Sequence, residues 1–395
     1  MSPPPGLVVF LSHTAAVSGA ELAFVRLATA LGRLGHPAAA VLTESGPLDG
    51  ALASAGIPTT LVATSFASRE VTIGGSFARL IRGGFQMLAA GWAAGAAIRE
   101  AHGSVVVAES TKALLMGAVA SRRARVPLVW HVHDRITREY FGRLAPIIRL
   151  IGFFAAAGFV ANSKSTLATL WTGRRPAVVS YPGVDLGQVP ERGPQRPAAE
   201  AALVMVGRLA EWKGQDLVLR ALARTAAPVP LVFVGGTHFG EEDYARALRD
   251  LVDELGLTDR VAFVGHTDDP LRQAAQADVA IHYSRLTEPF GQVVVEAMAA
   301  GCATIAAAEG GPAEIVTDGV DGVLVPPRDP EALAEAIDRL VADSSLRTAL
   351  AAAGAARARD FSLDVVAVAA AELLRQVAPR TAAPPRPSFP RGTAR

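Results

Sequence analysis

The sequence predicts an α/β protein built from two open parallel sheets. Three observations carry this. Short apolar runs alternate with stretches of helical period, the pattern of βαβ units. The alternation stops at a polar, Pro-rich segment and restarts beyond it. The 395 residues are too many for one ordinary domain and suit two, and half of them are hydrophobic, enough for two cores.

In the first half the expected strands are LVVFLS (7–12), AAAVLT (38–43), TTLVA (59–63), SVVVAE (104–109), PLVWHVH (127–133), GFVANS (158–163) and AVVSY (177–181). Each is strand-length, with helical patterns between them at Glu21 to Leu34 and Lys112 to Arg122. QVPERGPQRPAAE (188–200) has no periodicity and reads as a linker. The series resumes with ALVMVG (202–207), PLVFVGG (230–236), RVAFVG (260–265), VAIHYS (279–284), ATIAA (303–307) and GVLVPP (322–327). The Pro- and Arg-rich end, APRTAAPPRPSFPRGTAR, reads as a disordered tail. The expected division is a first domain over 1–188, a linker over 189–200, a second domain over 201–375 and a tail over 376–395. The last helix is free to pack back on the first domain.

Composition narrows the function. A formal net charge of +1 argues against a nucleic-acid binder, which needs a concentrated basic footprint. Cys302 is the single cysteine, so no disulfide framework or cysteine-based zinc site is expected. The opening MSPPPGLVVFLSH lacks the basic region of a signal peptide, and a cytoplasmic protein is expected. LAPIIRLIGFFAAAGFVA (144–161) is broken by Pro146, Arg149, Gly152 and Gly158. It reads as a buried helix running into a strand, not as a membrane span. Residues 77–100 have helical period and carry Arg79 and Arg82. They fit an ordinary amphipathic helix, with weak peripheral contact at the inner membrane face as the alternative.

Ligands of open α/β sheets bind beyond the carboxyl ends of strands, where helix N-termini favour anions. ALVMVG ends in Gly207 and is followed at once by RLAEWKG (208–214), which sets Arg208 and Lys213 in a tight turn before a helix starting near Gln215 or Asp216. Two cations at the positive end of a helix repel it unless an anion lies between them. A diphosphate suits that place, gripped by Arg as a fork and Lys as a point charge. The competing reading is a pair of solvated surface cations. The stretch LTEPFGQVVVEAMAAG (286–301) repeats the layout. Pro289 and Gly291 turn the chain so that the amides of Phe290, Gly291 and Gln292 form a second cradle. Glu288 precedes that helix and Glu296 lies inside it. Carboxylates at such places accept hydrogen bonds from sugar hydroxyls. A capping acid plus a helix-dipole acid is the plainer alternative.

Glu288 and Glu296 form an E-x7-E pair. With GRLAEWKG (207–214) and GGPAEIVTDGVDGVLVPP (310–327), the chain resembles the family-4 retaining glycosyltransferases of the GT-B fold. The resemblance runs from SHTAAVSGAE (12–21) to the helix around 363–375. It implies two Rossmann-like parallel-sheet domains facing across a cleft, a UDP- or GDP-linked sugar as co-substrate, and neither metal nor cofactor. By that likeness Arg208 and Lys213 hold the donor diphosphate. Glu296 takes the ribose hydroxyls, Glu288 those of the transferred sugar, and Gly265 and His266 lie near the base. Glu314, Gly310 and Gly311 line the same pocket. Cys302 and Ala303 depart from the family, which often has Pro there. Gly19 sits where the first long helix begins, so its backbone approaches the diphosphate, and Glu21 falls in the first helical turn. Similar proteins carry a His at the position of His133, near the reacting sugar. It is read as positioning donor or acceptor, not as a metal ligand, because no third ligand stands beside it and His131. A satisfied structural histidine is the other reading of His131. Glu109 and Ser110, in ESTKALL (109–115), and the loop TSFASREVTIGG (64–75) are expected around the acceptor.

The resemblance implies a retaining, metal-independent transfer of a hexosyl or N-acetylhexosaminyl group. The acceptor hydroxyl belongs to a small metabolite or to an envelope glycan or lipid. The alternatives are a GT-B nucleotide-sugar epimerase or hydrolase, and a non-catalytic nucleotide-sugar binding protein. Oligomeric state is not legible.

Overall fold

The computed structural model describes residues 6–378 apart from 63, 65–76, 193–195, 238–239 and 268, and describes no side chains for 77–81. The loop expected at 64–75, save residue 64, and the tail from 379 onward lie outside the described residues. The chain forms two compact units: Met1–Gly183 with Leu363–Arg395, and Val184–Ser362.

The first unit holds a seven-stranded sheet among the described residues. Its strands are β1 (Leu7–Ser12), β2 (Ala38–Leu42), β3 (Thr59–Leu61), β4 (Gly103–Ala108), β5 (Leu128–Val132), β6 (Gly158–Ala161) and β7 (Ala177–Val179). All pair parallel, in the order β3-β2-β1-β4-β5-β6-β7. Its helices are α1 (Gly19–Arg33), α2 (Pro47–Ser54), α3 (Phe77–Glu100), α4 (Thr111–Ala124), α5 (Arg138–Phe141), α6 (Ala145–Ala155) and α7 (Lys164–Leu167). β1 is buried throughout because helices cover both faces of the sheet, which is why it reads as a continuous apolar run and not an alternating one. One core joins Val9 and Trp130 to Met87 of α3, Leu114 of α4 and Ala145 of α6. The core on the opposite face joins Phe10 to Phe24 and Leu31 of α1 and Leu48 of α2. Chain order reverses between β1 and β4, so the switch point of this sheet lies at their carboxyl ends.

The second unit repeats the plan with β8 (Leu203–Val206), β9 (Leu231–Val234), β10 (Val261–Gly265), β11 (Val279–His282), β12 (Ala303–Ala307) and β13 (Val323–Val325), in the order β10-β9-β8-β11-β12-β13. Its helices are α8 (Gln215–Leu222), α9 (Glu242–Glu254), α10 (Pro270–Ala275), α11 (Gln292–Ala299), α12 (Pro312–Ile315), α13 (Pro330–Ala342) and α14 (Ser344–Ala358). The reversal falls between β8 and β11. The last helix, α15 (Leu363–Val377), packs on α1 and completes the second core of the first unit through Leu373 and Leu374.

Two expectations change. The unit boundary falls at Gly183, not at residue 188, and most of the expected linker belongs to the second unit. Buried Asp278 accepts from Arg192 Nη2 at 3.1 Å, Arg196 Nη1 at 3.0 Å and the Ala202 amide at 3.0 Å. Arg347, also buried, donates to the carbonyls of Leu340 and Arg196. A Pro-rich run lacks periodicity whether it is loose or clamped, so sequence pattern did not separate the two. Second, α6 is not a buried helix: Ile147, Leu150 and Phe154 are exposed. No described helix is long and apolar enough to cross a membrane.

Candidate functional site

In the second unit the loops after β8 and β11 are stitched together at the switch point. Glu211–Lys213 forms a single 3-10 turn ended by Gly214 at φ +72°. A Cβ at Gly214 would lie 2.3 Å from the Tyr283 carbonyl oxygen, so only glycine allows this approach. The Arg285 amide donates to the Trp212 carbonyl at 2.7 Å. Held this way, Lys213 Nζ reaches Glu288 Oε2 at 2.8 Å, with both side chains largely buried. Ser284 Oγ donates to the same oxygen at 3.0 Å. His282 Nε2 lies 3.3 Å from it without the alignment of a hydrogen bond. Burial alone would raise the Glu288 carboxyl, but the charge of Lys213 and the contact with His282 hold it well below the usual carboxylate range. Arg208 Nε lies 3.2 Å from Glu241 Oε2. Each of the two cations expected to meet a diphosphate thus faces a carboxylate here.

α11 begins beside this pair. Gly291, at φ +91°, is its N-cap, and the first amides of a helix have no acceptor within it. Gln292 Nε2 donates to Glu296 Oε1 at 2.8 Å, which orients the second acid of the E-x7-E pair. Gly310 and Gly311 buttress the turn from behind. The Gly311 amide donates to the Glu288 carbonyl at 2.9 Å, and a Cβ there would fall 2.2 Å from Phe290 Cα. Glu314 stands on α12, its carbonyl accepting from Arg357 Nη2 at 3.1 Å. Gly207 donates its amide to Val234, and Gly265 accepts from the Gly235 amide at 2.8 Å, tying the ends of β8, β9 and β10 together. A cavity of about 510 Å³ opens there, lined by Leu209, Gly235, Gly236, Arg249, Phe263 and Gly265. His266, next in the chain, is exposed.

The first unit gathers polar groups at its own switch point. Ser110 caps α4, accepting from the Ala113 amide at 3.0 Å, and its Oγ lies 2.9 Å from His13 Nδ1. Burial and the nearby Lys112 charge push the His13 imidazole down to about 3, against the pull of Glu44, so it is neutral. Glu44 accepts from Thr14 Oγ1 at 2.8 Å. Glu109 was expected to line an acceptor pocket. Instead its carboxylate is buried between two histidines, 2.9 Å from His131 Nδ1 and 3.1 Å from His133 Nε2. This corrects the view that no third group stands beside the histidines: β4 and β5 are neighbours, which brings Glu109 to their ends. The set of two imidazoles and one carboxylate, with donor atoms within 4.8 Å of one another, is one a divalent metal takes, yet hydrogen bonds within the triad already satisfy it.

Charge within the triad is uneven. Burial lowers His131, and the charge of Glu109 opposes it without prevailing. Burial would lower His133 too, but the hydrogen bond and charge of Glu109, with Asp134 and Glu21, raise it above the ordinary histidine value. Burial would raise Glu109, and the two histidines outweigh it and lower it. Glu109 is therefore the anionic member of the triad, and its charge and hydrogen bond favour the protonated form of His133. Gly19, as expected, opens α1. Sequence reasoning missed His13, Glu44, Glu241, His282 and Ser284. His13 and His282 carried a signal as lone polar residues at strand ends, whereas Glu241 and Glu44 carried none.

Two Rossmann-like parallel-sheet units, each with its polar groups gathered at a switch point, define the GT-B fold. The sequence model described as Glycosyltransferase Family 4 matches residues 17–188, and that described as Glycosyl transferases group 1 matches residues 191–357. The chain belongs to this glycosyltransferase family. It is 32% identical over 305 residues to the D-inositol 3-phosphate glycosyltransferase of Nocardioides sp., a match covering 66% of each chain. To that of Xylanimonas cellulosilytica it is 32% identical over 295 residues, 67% of this chain and 70% of the other. The match thus spans about two thirds of these relatives' length. Among solved structures, Anabaena Alr3699/HepE in complex with UDP-glucose is 28% identical, with a TM-score of 0.79, covering 94% of this chain and 100% of that one.

Proposed function

We propose that the protein transfers a hexosyl group from a nucleoside-diphosphate sugar to an acceptor hydroxyl, with retention and without a metal. The observation that carries this reading is the Lys213–Glu288 pair at the switch point of the second unit, with Arg208 close by in the same loop and α11 opening beside it. Breaking the anomeric C–O bond leaves negative charge on the diphosphate. Arg208, Lys213 and the first amides of α11 stabilise that charge as it grows in the transition state. When the donor binds, Lys213 exchanges Glu288 for phosphate, which releases the carboxylate to accept from the sugar hydroxyls. Glu296 is assigned to the ribose hydroxyls, and the base to the strand ends around Gly265. Retention follows from front-side attack, the leaving phosphate taking the acceptor proton. His133, whose protonated form Glu109 favours, is assigned to positioning the sugar or the acceptor. A solved relative whose complex is with UDP-glucose supports UDP-glucose as the first donor to try.

The test is nucleoside-diphosphate release from a panel of UDP- and GDP-linked sugars, with mass spectrometry of acceptors ranging from polyol phosphates to envelope lipids. Acceptor-dependent release, lost in Arg208→Ala and Lys213→Ala, is the expected result. Donor binding without release assigns the chain to a binding protein. Release or epimerisation without an acceptor assigns it to an epimerase or hydrolase.

A further inference from the structure

The first unit carries an apolar, basic face that sugar transfer does not require. On α3, Phe85, Leu88 and Trp92 are exposed at spacings of three and four, one stripe of the helix. On α6, Ile147, Leu150 and Phe154 repeat the same spacing, and Trp171 is exposed as well. These include all four exposed Phe and Trp side chains among the described residues, so the aromatic exposure is concentrated on this face. α3, α4 and α6 cover the same side of the sheet, sharing one core, and α4 packs against both of the others.

Charge is concentrated in the same stretch. Residues 77–176 hold fourteen Lys and Arg against four Asp and Glu, one of them the buried Glu109, in a chain whose net charge is +1. Arg82, Arg122, Arg125, Arg143 and Arg174 are exposed. Other arginines lie over aromatic rings: Arg123 at 4.3 Å from the Trp92 centroid and Arg149 at 5.8 Å from that of Trp171. Aromatic side chains with arginine beside them, flanking aliphatic stripes, are the composition of a surface that rests at the headgroup level of a bilayer.

We propose that the α3–α4–α6 face of the first unit docks on an anionic phospholipid surface. The stripes of α3 and α6 enter the boundary between headgroups and acyl chains, and the arginines meet lipid phosphate. Charge decides among occupants. A second copy would set one basic face against another, and the repulsion opposes such a dimer. A nucleic acid would satisfy the arginines but give Leu88, Ile147 and Leu150 nothing apolar to bury against. In parallel α/β units each helix starts at the carboxyl end of the preceding strand, so α4 and α6 begin at the same end as Glu109 and His133. Resting on the transfer reading above, this placement favours an acceptor borne by lipid.

Docking is tested without donor or acceptor, which keeps its failure separate from failure of the transfer reading. The full chain is sedimented with phosphatidylcholine vesicles, with and without phosphatidylglycerol, over a range of salt. Binding is expected only to the anionic vesicles, weakening as salt rises. The pairs Phe85→Ser with Trp92→Ser, and Leu150→Ser with Phe154→Ser, should each reduce binding by at least about tenfold. In Arg122→Ala and Arg125→Ala each lost arginine should cost roughly fivefold. All these side chains are exposed, and unchanged circular dichroism and thermal unfolding verify that the variants fold. Equal binding to both vesicle types, or none to the anionic ones, overturns the proposal. So does a dimer in sedimentation velocity that the same variants dissolve while vesicle binding is absent.

Discussion

Replacing Glu288 by Gln should tighten nucleotide binding while abolishing transfer. Lys213 Nζ lies 2.8 Å from Glu288 Oε2, with side chains 15% and 12% exposed. At an effective dielectric constant of about 20, a pair at that distance attracts by about 6 kcal/mol before the cost of removing both charges from water. Much of that attraction is offset by desolvation, yet removing one partner of a buried pair still costs roughly 3 kcal/mol, because the other charge is left uncompensated. On the proposed reading, the diphosphate competes with Glu288 for Lys213. If about a quarter of the gross attraction is recovered when the competitor goes, UDP affinity rises by roughly tenfold, or ~1.4 kcal/mol. The unliganded Glu288→Gln protein should be less stable than wild type and regain the difference on saturation with UDP. Lys213→Ala should lose affinity instead. Glu288 adds a pH signature. Its folded carboxyl is lowered, so its contribution is present above the ordinary value of 4.5 and is lost as pH falls below it. Wild-type stability should decline in that acid range, and the Gln variant should decline less. Calorimetric titration with UDP and GDP, beside a nucleoside-diphosphate release assay, decides the matter. Weaker UDP binding in Glu288→Gln, matching Lys213→Ala, would refute the competition and make Glu288 a support for Lys213.

Three further outcomes are expected. Glu109→Gln removes the anion that raises His133. The stability His133 contributes, present below its unfolded value near 6.5 and lost as pH rises through its raised folded value, should disappear. kcat should fall by at least roughly tenfold with an altered pH profile, and Glu109→Asp should restore part of it. Asp278→Asn strips a buried carboxylate from Arg192, Arg196 and the Ala202 amide. It should destabilise the second unit by about 3 kcal/mol, lowering its Tm by roughly 6–12 °C in a thermal scan. Burial pushes the Cys302 thiol up to about 11, so a thiol reagent at mildly alkaline pH should titrate it only after denaturation.

The strands were the most legible part of the sequence, for a physical reason. A strand covered on both faces must be apolar at every position, and the short runs from LVVFLS to GVLVPP correspond to β1 through β13 within a residue or two. The motifs after β8 and β11 were legible because glycine marks places no other residue fits, as at Gly214 and Gly311. Exposure was not legible on α6. LAPIIRLIGFFA is apolar nearly all round, and such composition describes a buried helix and one awaiting a surface equally well.

What sequence could not supply was pairing across the sheet. Arg208 and Lys213 were read as cations awaiting an anion, and the fold shows that acids elsewhere in the chain already fill that place. Lys213 and Glu288 are 75 residues apart, and only the adjacency of β8 and β11 brings them together. Glu109 and His131 meet because β4 and β5 are neighbours, which again no local pattern states. The pairing changes what the residues do. A free pair of cations at a helix start would bind any anion and leave the empty site strained by like charge. With Glu288 on Lys213 and Glu241 on Arg208, the unliganded protein holds the site near neutrality. An anion must then offer two well-placed charges at once to displace both acids. On the proposed reading a diphosphate meets that demand better than a single phosphate, so calorimetric titration should show wild type preferring UDP to UMP, and Glu288→Gln should narrow the preference.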